Sequence, residues 1–231
     1  MTTGARVLEA LGTVIDPELD EPITALGFIA ACEVSAGGDV DVRLRLPTPQ
    51  CAPNFAFLMA ADARDAVRRL PEVRDVTVVL EDHYTGEEIN AAVNRGEEFS
   101  DAFPGETTGD LDALRELFRR KALVARQSGL CEALLARGAT PDEVTALRVA
   151  DLPDGPEARR CLELRCELGI DAGEDAPAFV LPSGVPIAAA DLRHWLRIAR
   201  LVRTSLETNG GICRSLLSVR YADAGSKEVA A

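Results

Sequence analysis

Apolar residues recur at helical steps over the start of the chain, then switch to strict alternation, then return to helical steps. Val7, Leu8, Leu11, Val14 and Ile15 predict a helix over about residues 3–15. Asp16-Pro17-Glu18-Leu19 stops it, because a residue that precedes proline is pushed out of the α region. Ile23 to Ile29 leads into a strand ending near Val34, and Gly37-Gly38-Asp39 is a hairpin turn. Val40, Val42, Leu44 and Leu46 alternate with Asp and Arg, which predicts a strand with one buried and one wet face. Phe55, Leu58, Met59, Ala63, Val67 and Leu70 predict a helix to about Arg69. Val73, Val76, Val78, Val79 and Leu80 form a β-branched strand, and Glu87 to Val93 a short helix. The order α-β-β-α-β-α over residues 1–95 is that of an α+β domain, a small sheet covered by helices on one side.

Residues 96–109 are rich in Gly, Glu, Thr and Asp and read as a linker. From 110 to 222 the pattern is mostly helical. Asp110 caps a long helix through Leu135 that Gly129 interrupts, and Thr140-Pro141-Asp142-Glu143 is a capping box. Residues 156–170 fit either a strand or a helix, and Ala178–Leu181 a short strand that turns at Pro182-Ser183-Gly184. A last helix runs from Asp191 to about Thr208, with Trp195 on its apolar face and Gly210-Gly211 as its C-cap. The tail after Ala222, residues 223–231, is expected to fray.

Composition narrows the function classes. The 231 residues suffice for two modest domains, and 47% hydrophobic residues suffice for packed cores. The formal net charge of −13 argues against nucleic acid or an anionic membrane as the main partner. The first residues lack a basic stretch followed by an apolar run, and no segment approaches the length of a membrane span, so the cytoplasm is the expected compartment. There the six cysteines are expected as thiols. Cys161 and Cys166 lack the spacing and the partners of a zinc site, and Cys131 reads as a buried helical thiol.

The chemistry concentrates in Leu46-Pro47-Thr48-Pro49-Gln50-Cys51-Ala52-Pro53. Cys51 falls between a strand end and a helix start, where the positive end of the helix dipole favours the thiolate. Asp16 and Glu18 end the first helix, and Asp82 and His83 follow the last strand, so three polar loops can meet at one end of the sheet. Thiolate, imidazole and carboxylate together suit iron or zinc, and equally a cysteine nucleophile with a histidine base. A solvated loop histidine and plain turn chemistry at Asp16 and Glu18 are the alternatives.

Leu11-Gly12-Thr13-Val14-Ile15-Asp16-Pro17-Glu18-Leu19, Leu26-Gly27-Phe28-Ile29, Thr48-Pro49-Gln50-Cys51 and Val73 to Val78 resemble the metal–sulfur cluster assembly factor family, which includes SufT-like and PaaD-like proteins. The resemblance covers about residues 5–95. It implies an α+β domain that matures iron–sulfur proteins. Cys51 matches the reactive or ligating cysteine, and Asp16, Pro17, Glu18, Thr48 and Pro49 match the motif around it. Ala52 departs from the family, which places proline directly after the cysteine; here the proline is Pro53. Cys51 is the one thiolate expected from this domain, with His83 beside it, so a homodimer, a small thiol or a client is expected to complete the ligands.

Three classes of function follow. In the first, the chain is not an enzyme but an accessory factor that transiently carries iron or an iron–sulfur cluster, or no cofactor as isolated, to a client metalloprotein. One form of this has a non-haem iron (mono)oxygenase as client. In the second it is a cysteine-nucleophile enzyme with His83 as base, for which no orienting third group is apparent. In the third it is a metal-free adaptor. The C-terminal domain offers the helix with His194 and Trp195, read as a docking or dimerising module with Trp195 in its core.

Overall fold

The computed structural model describes residues 4–105 and 111–222. The chain forms two compact units. One is built from the chain up to Ala113 and from Thr208 on; the other is Leu114–Glu207. An α+β unit and a mostly helical unit match the fold class expected from the sequence.

In the first unit α1 (Gly4–Leu11) ends earlier than the periodicity predicts, at Gly12. Val14 and Ile15 then enter a two-stranded hairpin, β1 (Ile15–Asp16) against β2 (Glu21–Pro22), which pairs Asp16 with Glu21. The Asp16 Oδ1 makes the turn, accepting the backbone N–H groups of Glu18 and Leu19 at 2.8 and 3.0 Å. Residues 23–28 are not strand: Ile23, Leu26 and Phe28 pack inward from a turn.

The main sheet has the order β3 (Ile29–Val34), β4 (Asp39–Arg45), β5 (Asp75–Glu81). The first pair is antiparallel, joined at Gly38, where a side chain would collide with the Glu72 carbonyl. The second pair is parallel and needs a crossover, supplied by α2 (Pro53–Arg68). Its register sets Val40, Val42 and Leu44 beside Val76, Val78 and Leu80, all of them buried. The sheet thus presents one continuous apolar face, and one slip of register would turn it to solvent.

The free edge of β5 is sealed by α3 (Gly86–Arg95). Asn90 bonds both the N–H and the C=O of Leu80, at 2.7 and 3.1 Å, and Asn94 those of Val78, at 2.9 and 2.8 Å. Two side-chain amides stand in for a neighbouring strand. Within the expected linker, α4 (Phe99–Ala102) packs Phe99 edge-on against Phe57, with Phe103 stacked behind. Two aromatic residues four apart outweigh the polar composition around them.

The second unit has its own core. α5 (Asp112–Ala136) continues through Gly129, and Cys131 is fully buried in it; the Asp110 cap lies outside the described residues. α6 (Pro141–Ala146) starts with the expected box, Thr140 and Glu143 each capping the other. The ambiguous segment is helix α7 (Pro156–Glu167), because Cys161 and Leu164 share one buried face. Ala178–Leu181 forms no strand and contributes a single bridge between Val180 and Pro186. Gln127 holds that loop by both backbone groups of Val180 at 2.9 Å, and the buried Arg165 donates to the carbonyls of Pro177 and Ala178. Trp195 lies in this core.

The last helix corrects the sequence reading most. α8 (Ala189–Arg220) passes straight through Gly210-Gly211, and its final turns belong to the first unit. Tertiary contact overrides the usual meaning of a glycine pair here: a Cβ on Gly210 would collide with Glu21 Oε1. The tail from 223 lies outside the described residues. Among the described residues, no helix is long and apolar enough to cross a membrane.

Candidate functional site

Strands β4 and β5 run parallel, so their C-terminal ends open on the same side of the sheet. The Thr48–Cys51 loop leaves one and the Asp82–Thr85 loop leaves the other. Tyr84 N–H donates to the Pro49 carbonyl at 3.1 Å, and His83 Nε2 lies 2.7 Å from the Cys51 carbonyl. A carbonyl only accepts, so Nε2 carries the proton. Nδ1 then accepts from Thr85, whose N–H and Oγ1 lie 3.3 and 3.1 Å away. Partial burial, with Arg220 nearby, pushes the His83 pKa below its usual value and favours this neutral ring. Both ring nitrogens are thereby engaged with protein groups.

Cys51 itself is half-buried, two residues before Pro53 opens α2. The cap residue Ala52 makes no side-chain hydrogen bond, so the helix start is left without a polar cap. Thr48 Oγ1 lies 3.6 Å from the Cys51 Sγ, within the same loop.

Asp16 is buried, 6% exposed, in the neighbouring hairpin. Desolvation raises its pKa to about 6, against the two N–H groups that favour the charged form. Glu18 and Glu21 add negative charge beside it.

The final turns of α8 reach all three loops. Arg214 pairs with Glu21 of β2. Arg220 donates to the carbonyls of Leu46 and Asp82 at 3.1 and 2.8 Å, and the Tyr221 hydroxyl bonds Asp82 Oδ2 at 3.2 Å. Arg45, held by Glu81 at 2.6 Å, stacks over the Tyr221 ring. Cys213 is half-buried on the same turns, and burial pushes its thiol up to about 11.

The structure therefore joins His83 to Cys51 through the backbone. Pro17 lies in the Asp16 turn, and Thr48 and Pro49 shape the cysteine loop. Sequence reasoning missed Cys213, Arg214, Arg220 and Tyr221. Leu216, Leu217 and Val219 beyond the glycine pair were the available signal that the helix goes on. Among the described residues, no three His, Cys, Asp or Glu side chains converge closely enough to hold a metal ion.

Comparison with known proteins adds a second line. A family model described as iron–sulfur cluster assembly protein matches residues 4–80. An uncharacterized protein of Methanocaldococcus jannaschii is 36% identical over 97 residues, 42% of this chain and 100% of that protein. An iron–sulfur cluster carrier protein of Deinococcus radiodurans is 41% identical over 73 residues, 31% of this chain and 20% of the carrier. A chloroplastic Fe–S cluster assembly factor of Arabidopsis thaliana is 35% identical over 80 residues, 34% of this chain and 15% of the factor. The chain thus spans the whole of the first relative and a minor part of the other two. No solved structure matches.

Proposed function

Because this chain belongs to the iron–sulfur cluster assembly protein family through residues 4–80, we propose that it is an accessory maturation factor that takes up iron or an iron–sulfur cluster at Cys51 and passes it to a client metalloprotein. The observation that carries this reading is the state of the Cys51 loop. Its backbone is held by His83 and Tyr84, while the thiol stays half-exposed at the start of α2. A soft thiol on a fixed loop suits a soft metal cargo.

His83 serves as a positioning residue in this reading. Its proton goes to the Cys51 carbonyl and its second nitrogen accepts from Thr85, which leaves neither to deprotonate the thiol. That favours a carrier over a cysteine-nucleophile enzyme. Iron traffic through a thiol also suits a reducing compartment, and we place the protein in the cytoplasm.

Transfer is the direct test. Protein loaded anaerobically with cluster is mixed with an apo-ferredoxin, and the recipient's spectrum is followed. The wild type should convert the recipient faster than free iron and sulfide do, and Cys51→Ala should not. Equal conversion by the variant would overturn the assignment to Cys51.

A further inference from the structure

Asp82 is the first residue after β5 and takes a left-handed backbone conformation, with φ at +52°. A Cβ disfavours that conformation; glycine, asparagine and aspartate adopt it most readily. The next residue, His83, is the one that reaches the Cys51 carbonyl. The posture of the Cys51 loop therefore depends on a residue in an unfavourable conformation, and something must hold it there.

The end of α8 does so twice. Arg220 Nη2 donates to the Asp82 carbonyl at 2.8 Å, and its Nη1 donates to the Leu46 carbonyl at 3.1 Å. Arg45 and Glu81 are the last residues paired between β4 and β5, so Leu46 and Asp82 are the first positions past the ladder. One guanidinium spans the two strands where their own pairing stops. The Tyr221 hydroxyl donates to Asp82 Oδ2 at 3.2 Å, which fixes the side chain as well as the backbone. The Tyr221 ring is steadied by the guanidinium groups of Arg45 and Arg220, 4.8 and 5.1 Å from its centroid. Glu81 in turn holds Arg45 at 2.6 Å.

We propose that the end of α8 is a clamp on the Cys51 loop: Arg220 and Tyr221 hold Asp82 in its left-handed conformation, and Asp82 aims His83 at the Cys51 carbonyl. The proposal rests on the carrier reading and deepens it by naming what sets the posture of the loop that presents the thiol. Asp82, Arg220 and Tyr221 are positioning residues and touch no cargo. All three lie outside residues 4–80, so the clamp is an addition of this chain to the part that matches the family.

Amide hydrogen exchange of the full chain, followed by NMR without cargo, tests the clamp. The Tyr84 N–H bonds the Pro49 carbonyl and so reports whether the two loops stay joined. Its exchange should rise about fivefold in Asp82→Ala and in Arg220→Lys, whose single ammonium cannot span both carbonyls. The double variant should exchange no faster than either single one, because both open the same clamp. Asp82→Asn tolerates the left-handed backbone and keeps an oxygen for Tyr221, so it should match the wild type. The Val78 N–H, held by Asn94, should be unchanged throughout. Wild-type exchange at Tyr84 in Asp82→Ala would overturn the clamp, as would a rise of equal size at Val78. Iron loading after anaerobic reconstitution is the second readout: it should fall in Asp82→Ala and return in Asp82→Asn. Faster exchange with undiminished loading would overturn the positioning role. Faster exchange with no loading of any protein, wild type included, would leave the clamp standing and sink the carrier reading alone.

Discussion

His83 donates its Nε2–H to the backbone carbonyl of Cys51 across 2.7 Å, so the histidine grips the cysteine loop by its main chain. Removing that grip should loosen the loop without removing a ligand. His83→Ala should cost about 1 kcal/mol in stability and lower iron loading. Gln at this position keeps a side-chain N–H, so His83→Gln should recover most of the loading. Equal loss in both variants, measured by iron analysis after reconstitution, would instead mark the imidazole as a ligand.

Asp16 is a buried carboxylate held near pKa 6, above the ordinary value of 3.8. The folded chain therefore binds its proton more tightly than the unfolded chain does. The stability this contributes is full below about pH 4 and is lost as pH rises through about 6, a penalty of about 3 kcal/mol at neutral pH. Asp16→Asn keeps an oxygen for the N–H groups of Glu18 and Leu19 and carries no charge to bury. Urea melts should show the variant more stable than wild type at pH 8, and its stability should vary less between about pH 4 and pH 6. A variant less stable at pH 8 would contradict this. Retaining the costly charge fits a group kept for cargo rather than for the turn.

The two glycines of α8 should part company. A Cβ on Gly211 meets nothing within 4 Å, so Gly211→Ala should stabilise by about 1 kcal/mol. Gly210→Ala should forfeit that gain against Glu21. The gain should return when Glu21 is also Ala, a coupling that thermal melts of the four proteins would measure. Additive effects would mean that α8 does not pack here.

Those glycines also mark where the sequence stopped being legible. The alternation from Val40 to Leu46, the periodicity after Pro53 and the Thr140 box are local patterns, and each became the element it predicts. The β1–β2 hairpin has two residues per strand, too few to show a period, and its Asp-Pro turn read as a helix end. The 156–170 segment was ambiguous because only packing says which of its Cys and Leu positions are inside. α8 was cut short because Gly-Gly normally ends a helix, and its continuation rests on tertiary contacts with Glu21, Leu46 and Asp82 that no local pattern shows. The meeting of the Cys51 and His83 loops could be reasoned from strand ends. The return of Arg214 and Arg220 to these loops could not, since it depends on the helix running on past Gly211.

Arg220 is the anchor of that continuation. Arg220→Ala removes two charged hydrogen bonds and should cost about 2 kcal/mol. Cys213 should then react faster with iodoacetamide in a timed alkylation, while buried Cys131 should not. An unchanged Cys213 rate would show that its shielding does not depend on this anchor.

The central claim is that cargo is held through Cys51. Anaerobic reconstitution with ferrous iron and sulfide, comparing wild type with Cys51→Ala by iron analysis and visible absorption, tests it most directly. The account predicts bound iron and a charge-transfer spectrum in the wild type, and loss of both in a variant that melts normally. Equal loading of the two proteins, or no loading of either, would contradict it.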